Sequence, residues 1–161
     1  HKKAIDFVKD ELNGENFKDI SHLALYPLAV INNNIFWLRD PVDYDEKNGY
    51  IKYAGDIKKG SLVKLSKASP KNMLEAAKYV VEQTKNKINN PDLLLIISCA
   101  GRRWLLSNRI IDEIKYVTEY FQNIPASGFA SFSEIGPIID DSSKESFLHN
   151  FTFVLISFKE K

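Results

Sequence analysis

The chain has 161 residues, with 22 Lys and Arg against 21 Asp and Glu, so a formal net charge of +1 leaves no basic excess to neutralise a nucleic-acid backbone. Its 44% hydrophobic and 12% aromatic content excludes a disordered or acidic-tail segment and suffices for one packed domain over residues 1–161. The single cysteine, Cys99, excludes an internal disulfide and a cysteine-based zinc site. The longest apolar runs, Leu93 to Ile97 and Phe151 to Ile156, fall far short of the roughly 20 residues that cross a bilayer. A reducing, cytoplasmic setting is expected, with no nucleic-acid or membrane partner. The chain starts at His1 without Met or a secretory leader, which leads us to expect a piece of a longer protein.

Ile5, Val8 and Leu12 share one helical face, and Asn13-Gly14 follows as a stop signal, so a short first helix is predicted. Leu25 to Val30, Ile35 to Arg39, Tyr50 to Tyr53 and Leu62 to Leu65 are rich in β-branched and aromatic residues and predict four strands. Asn32-Asn33-Asn34 and Asn48-Gly49 are turn candidates because Asn and Gly tolerate positive φ, and the four strands are expected to form an antiparallel meander.

At Ser69 the period changes to 3.6. Ser69 is an N-cap, Pro70 takes the first helical position, and Met73, Ala77, Val80, Val81, Thr84 and Ile88 line one face up to Asn89-Asn90-Pro91. The continuous run Leu93 to Ile97 predicts a central strand covered on both faces. Ile110, Ile114, Val117 and Phe121 predict a second long helix that ends before Pro125. Ser127 to Phe132 and Phe147 to Phe158 predict two further strands, separated by a Gly136-Pro137 turn and a polar Asp140-Asp141-Ser142-Ser143 loop. Runs of consecutive strands argue for an α+β fold. The expected architecture is a mixed, largely antiparallel sheet, a β-meander followed by α-β-α-β-β, with about three helices packed on it.

The strongest local constellation is Ser98-Cys99-Ala100-Gly101-Arg102-Arg103, where the buried strand gives way to a helix. Strand ends of this kind often leave a ligand crevice, and an arginine there can hold a carboxylate or phosphate in two-pronged fashion. The alternative is an arginine paired within the fold to Glu113 or Glu134. Cys99 beside two arginines suits a nucleophile with His149 as base, but a lone cysteine at a strand end is more often a small buried hydrophobe. Glu134, next to Gly136-Pro137, can take a ligand amine, orient an arginine or cap the turn. His149 and Asn150 open the last strand with donor and acceptor capacity, and no second ligand stands at metal-binding spacing. Asn150-Phe151-Thr152 matches a glycosylation sequon, which a cytoplasmic setting makes idle. P-loop, GxGxxG, GxSxG and HExxH patterns are all missing from the sequence.

The ordered set Tyr26-Pro27-Leu28, Arg39, Gly49, Gly60, Ser98-Cys99-Ala100-Gly101-Arg102, Glu113, Gly128-Phe129, Glu134-Ile135-Gly136-Pro137 and His149-Asn150-Phe151-Thr152 resembles the FIST C domain. That domain is the carboxy-terminal half of the F-box and intracellular signal transduction sensory module, and the resemblance runs from Lys3 to Lys159. It implies a cytoplasmic, non-catalytic input domain that follows a FIST N domain and feeds a downstream signalling output module. The ligand implied is a small molecule such as an amino acid. Some relatives are reported to bind haem and sense nitric oxide. By position, the resemblance carries ligand-binding roles to Cys99, Arg102, Glu113, Glu134, His149 and Asn150. The chemistry of the residues meets it there, because an amino acid needs a cation for its carboxylate and an acid for its amine, which Arg102 and Glu134 would supply. Ser133 departs from the pattern, which has glycine there. Two other readings stand beside it: a Cys99/His149 nucleophilic enzyme, and a domain–domain interaction module.

Overall fold

The computed structural model describes residues 2–13, 17–32, 35–137 and 146–160. The amphipathic start forms α1 (Ala4–Glu11), which buries Ile5 and Val8. Asn13 takes φ +54 just after it, while Gly14 of the expected stop lies outside the described residues. A one-turn helix, α2 (Ile20–Leu23), was not foreseen. Asp19 caps it by accepting from the His22 amide at 2.9 Å, a local hydrogen bond that stabilises a turn too short for periodicity to reveal.

The four expected strands are present, but their pairing differs. β1 (Leu28–Asn32) and β2 (Ile35–Arg39) pair antiparallel on either side of the Asn turn, whose residues 33 and 34 lie outside the described set. An additional strand, β3 (Pro41–Asp45), forms its own ribbon with β4 (Tyr50–Tyr53), turning at Gly49 with φ +76. β5 (Leu62–Leu65) then returns to β1, so this sheet has the order β2-β1-β5 and the meander is divided in two. Sequence reading missed β3 because it begins at a proline, which cannot donate to a ladder, and alternates among charged residues.

α3 (Pro70–Lys87) starts as expected, with Ser69 Oγ accepting from the Asn72 amide at 3.2 Å. β6 (Leu93–Cys99) follows and runs straight into α4 (Ala100–Leu106), a short 3-10 turn and α5 (Ile110–Tyr120). β7 (Ala126–Ser131) lies parallel to β6. The Gly136-Pro137 segment, expected as a turn, belongs to β8 (Glu134–Pro137). The expected strand from Phe147 to Phe158 divides into β9 (Ser146–His149) and β10 (Phe153–Phe158). β9 pairs with β8 while β10 pairs with β6, and Phe151 at φ +59 makes the break between the two sheets. The Asp140–Ser143 loop lies outside the described residues.

Helix and strand are nearly equal, at 35% and 34%, and the arrangement is the α+β class expected. The mixed sheet β10-β6-β7 carries α3 and α5 on one face. Leu94, Ile96 and Phe153 meet Ala77, Val81, Val117 and Phe121 there in the main core. The other face is not covered as expected: Leu93, Phe129, Ile156 and Phe158 are all exposed. A second core gathers Ile5, Val8, Leu12, Phe17 and Leu23, and a third joins Met73, Leu74, Leu106 and Phe151 at the junction of the helices.

Candidate functional site

The polar residues picked out in the sequence fall into two groups on opposite sides of β6. Side chains alternate along a strand, so Ser98 turns toward the helices and Cys99 away from them. Arg102, one turn into α4, lies on the helix side with Glu113 of α5. Its Nε donates to Glu113 Oε1 at 2.8 Å, and its Nη2 donates to the same oxygen and to the Met73 carbonyl at 2.7 Å. Nη1 donates to the Phe151 carbonyl at 3.2 Å, and Ser98 Oγ donates to Glu113 Oε2 at 2.9 Å. Arg102 is 3% and Glu113 0% exposed, so this guanidinium is committed to the fold and faces no crevice. Of the alternatives open in the sequence, the pairing of Arg102 with Glu113 is the one observed. Arg103 is exposed.

The second group assembles where β6, β7, β8 and β10 converge. Parallel register sets Cys99 beside Ser131, the Cys99 amide donates to the Thr152 carbonyl at 3.0 Å, and antiparallel register sets Glu134 opposite His149. The buried Glu134 carboxylate accepts from Ser131 Oγ on one oxygen and Thr152 Oγ1 on the other. His149 Nε2 lies 3.0 Å from the Gly136 carbonyl oxygen. Burial lowers the His149 pKa, the Gly136 carbonyl opposes that, nearby Arg39 lowers it further and Glu134 raises it. Asn150 spans the site: its Oδ1 accepts from the Asp40 amide at 3.1 Å and its Nδ2 donates to Ser133 Oγ at 2.9 Å. Ser133 thus supplies the acceptor for Asn150.

Burial pushes the Cys99 thiol up, and the carboxylates of Glu134 and Asp40 push it further, against hydrogen bonds from the Gly101 and Phe151 amides. The thiol is 2% exposed and points its weak donor at the Phe132 carbonyl, 3.9 Å away. The depressed thiol pKa that a nucleophile beside two arginines would need is absent here, because Arg102 is turned to the opposite side of the strand.

Two residues of this group carried no assigned role in the sequence. Arg39 at the end of β2 donates from Nε to the Asp56 carbonyl at 3.1 Å and from Nη1 to the Leu38 and Leu148 carbonyls at 3.1 and 2.9 Å. Asp40, between β2 and β3, has its carboxyl pushed up to about 6 by burial, and its Oδ1 is buried with no hydrogen-bond partner among the described residues. The only sequence signal for Asp40 is a charged residue held between a strand end and Pro41.

His149 does not fit the haem implied by the resemblance. Its Nε2 is taken up by a backbone carbonyl, its ring is packed edge-on to Phe147 at 6.3 Å, and the residue is only 8% exposed, an enclosed setting with no room for a haem face against the ring. A shallow groove of about 490 Å³ lies apart from the polar group, over β1, β2 and β5, lined by residues such as Ile31, Phe36, Lys64 and Leu65. Among the described residues no cluster of three or more His, Cys, Asp or Glu could hold a metal ion, and no helix is long and apolar enough to cross a membrane.

Comparison with curated proteins and with solved structures finds no match. The family model of the FIST C domain matches residues 4–137, a span that takes in Asp40, Cys99, Arg102, Glu113 and Glu134 and stops short of His149 and Asn150. The match covers most of the chain, which therefore belongs to the FIST C domain family, a signal-transduction-associated domain.

Proposed function

We propose that this is a cytoplasmic small-ligand-binding input domain, and that the ligand is an amine-bearing molecule such as an amino acid, held at the strand-end group of Asp40, Glu134, His149 and Asn150. The observation that carries this reading is the buried Asp40 Oδ1, which has no hydrogen-bond partner among the described residues, beside a network in which the neighbouring polar groups have partners. A buried acceptor without a donor costs about 1–3 kcal/mol. An ammonium group supplies the missing donor and a compensating charge.

The amine is thus given to Asp40, with Glu134 nearby, whereas Arg102 supports the site from behind through the Phe151 carbonyl. A preceding FIST N domain and a downstream output module complete the proposed sensor. The reading contains no catalytic step.

Isothermal titration of this chain against a panel of amino acids and simple amines, with Asp40→Asn beside the native chain, tests it. Binding that is lost in Asp40→Asn and weakens below pH 6, where Asp40 takes up a proton, is expected. No heat with any amine, or equal affinity in Asp40→Asn, would remove the reading.

A further inference from the structure

Arg39, the last residue of β2, is 6% exposed, yet its guanidinium meets only neutral carbonyls. Nε donates to Asp56, and Nη1 donates to Leu38 and Leu148, at 3.1, 3.1 and 2.9 Å. Among the described residues Nη2 has no hydrogen-bond partner, and no carboxylate forms an ion pair with the group. The Asp56 side chain is exposed and acts on it only from a distance. Arg102 is equally buried but carries Glu113 as its counter-charge. A buried cation without one is costly, and burial lowers the Arg39 pKa accordingly. The group is nonetheless held firmly. A Cβ built on Gly55 would lie 3.0 Å from Arg39 Nε and 3.1 Å from Leu148 Cδ2, and Gly55 takes φ +113, so only glycine lets the loop after β4 close on the guanidinium. Asp40 Oδ1 is the one fully enclosed polar side-chain atom without a partner among the described residues, so Arg39 Nη2 still reaches solvent.

We infer that Arg39 Nη2 is a binding point for a small, singly charged carboxylate, separate from the amine point at Asp40. The missing counter-charge and the open N–H donors call for an anion, and a carboxylate oxygen supplies both an acceptor and a negative charge. Nε and Nη1 are already engaged, so the carboxylate docks through one oxygen on Nη2 and not across a two-pronged fork. A doubly charged phosphate gains less, because Asp56 already offsets part of the Arg39 charge. Three hydrogen bonds fix the side chain beforehand, so little rotamer freedom is lost on binding. Nothing in this site requires an amine at Asp40. Arg102, the arginine expected to take a carboxylate, is closed to one by Glu113.

Titration of the isotope-labelled chain with sodium acetate, followed by NMR, provides the test. The Arg39 Nε–H signal and the Asp56 and Leu148 amides should shift and saturate at acetate concentrations on the order of millimolar, whereas sodium chloride at the same ionic strength should move them little. Arg39→Lys keeps the charge but loses the fork and should weaken acetate by about tenfold or more, and Arg39→Met should abolish saturation. Far-UV circular dichroism checks that each variant is folded; where one is not, the Arg39 Nε–H signal of the native chain decides. Shifts that grow with acetate without saturating, or that chloride reproduces, overturn the inference, as does saturation retained in folded Arg39→Met. Methylammonium chloride separates the two sites. If it binds and acetate does not, the amine at Asp40 stands and the carboxylate at Arg39 falls; if acetate alone binds, the reverse holds.

Discussion

Arg102 Nε and Glu113 Oε1 meet at 2.8 Å inside the junction of α3, α4 and α5, with both residues almost fully buried. The guanidinium also holds the Met73 and Phe151 carbonyls, so one side chain ties the helix layer to the corner that leads into β10. Removing one partner strands a buried charge, which typically costs about 3–5 kcal/mol. Glu113→Gln and Arg102→Met should each lower stability by that order in urea unfolding, and the double variant Arg102→Met with Glu113→Leu should cost less than the sum. A single substitution costing under about 1 kcal/mol would contradict this role.

Gly128 is held by contact with the neighbouring strand. A Cβ built there would lie 2.2 Å from the Ile96 carbonyl oxygen, a backbone atom that cannot swing aside. Gly128→Ala should therefore force β7 away from β6 and destabilise by about 1–3 kcal/mol. Amide exchange should rise first along the paired stretch from Leu94 to Cys99. Unchanged exchange and an unchanged melting temperature would show that the strands accept the methyl group.

The Asp40 carboxyl holds its proton more tightly in the native state, at about 6 against 3.8 unfolded. Stability from that group is therefore fully present below about pH 4 and lost as pH rises through about 6. Asp40→Asn should be more stable than the native chain at pH 8, by about 1–2 kcal/mol once partial solvent contact is discounted, and no more stable at pH 4. Urea midpoints at the two values decide it. A difference that does not change between pH 4 and pH 8 would remove the titration of Asp40 as the cause.

His149 has the opposite sign. Its pKa is lowered on folding, chiefly by burial, so its contribution is present above the ordinary value near 6.5 and is lost as pH falls below it. His149→Gln should narrow the acid-side loss of stability between pH 7 and pH 5, and an unaltered slope there would contradict the assignment.

Cys99 should behave as a buried, weakly acidic thiol. Iodoacetamide at neutral pH should label it far more slowly than a free cysteine, with ordinary rates restored in denaturant. Rapid labelling of the folded chain would instead revive the Cys99/His149 nucleophile.

Local signals were enough for several elements. Ser69-Pro70 and the 3.6 period specified α3, the period through Val117 and Phe121 specified α5, and the unbroken Leu93 to Ile97 run specified β6, because capping and burial act within a few residues. The motif order from Tyr26 to Pro137 was likewise legible as a FIST C domain, since the family pattern is itself linear. Strand partnership was not legible. That β5 returns to β1, that Phe147 to Phe158 divides between two sheets at Phe151, and that Gly136-Pro137 pairs within β8 all depend on which distant edge each strand finds. The same holds for the site. Residue order alone puts arginine and cysteine together at the end of β6, with acidic residues as their expected partners. Packing turns Arg102 inward to Glu113 and sets Asp40, far away in the chain, against Asn150 through its backbone amide, with a carboxylate oxygen that has no partner among the described residues. Alternation along one strand sends Ser98 and Cys99 to opposite faces, and the partner met on each face is set by packing between residues remote in sequence.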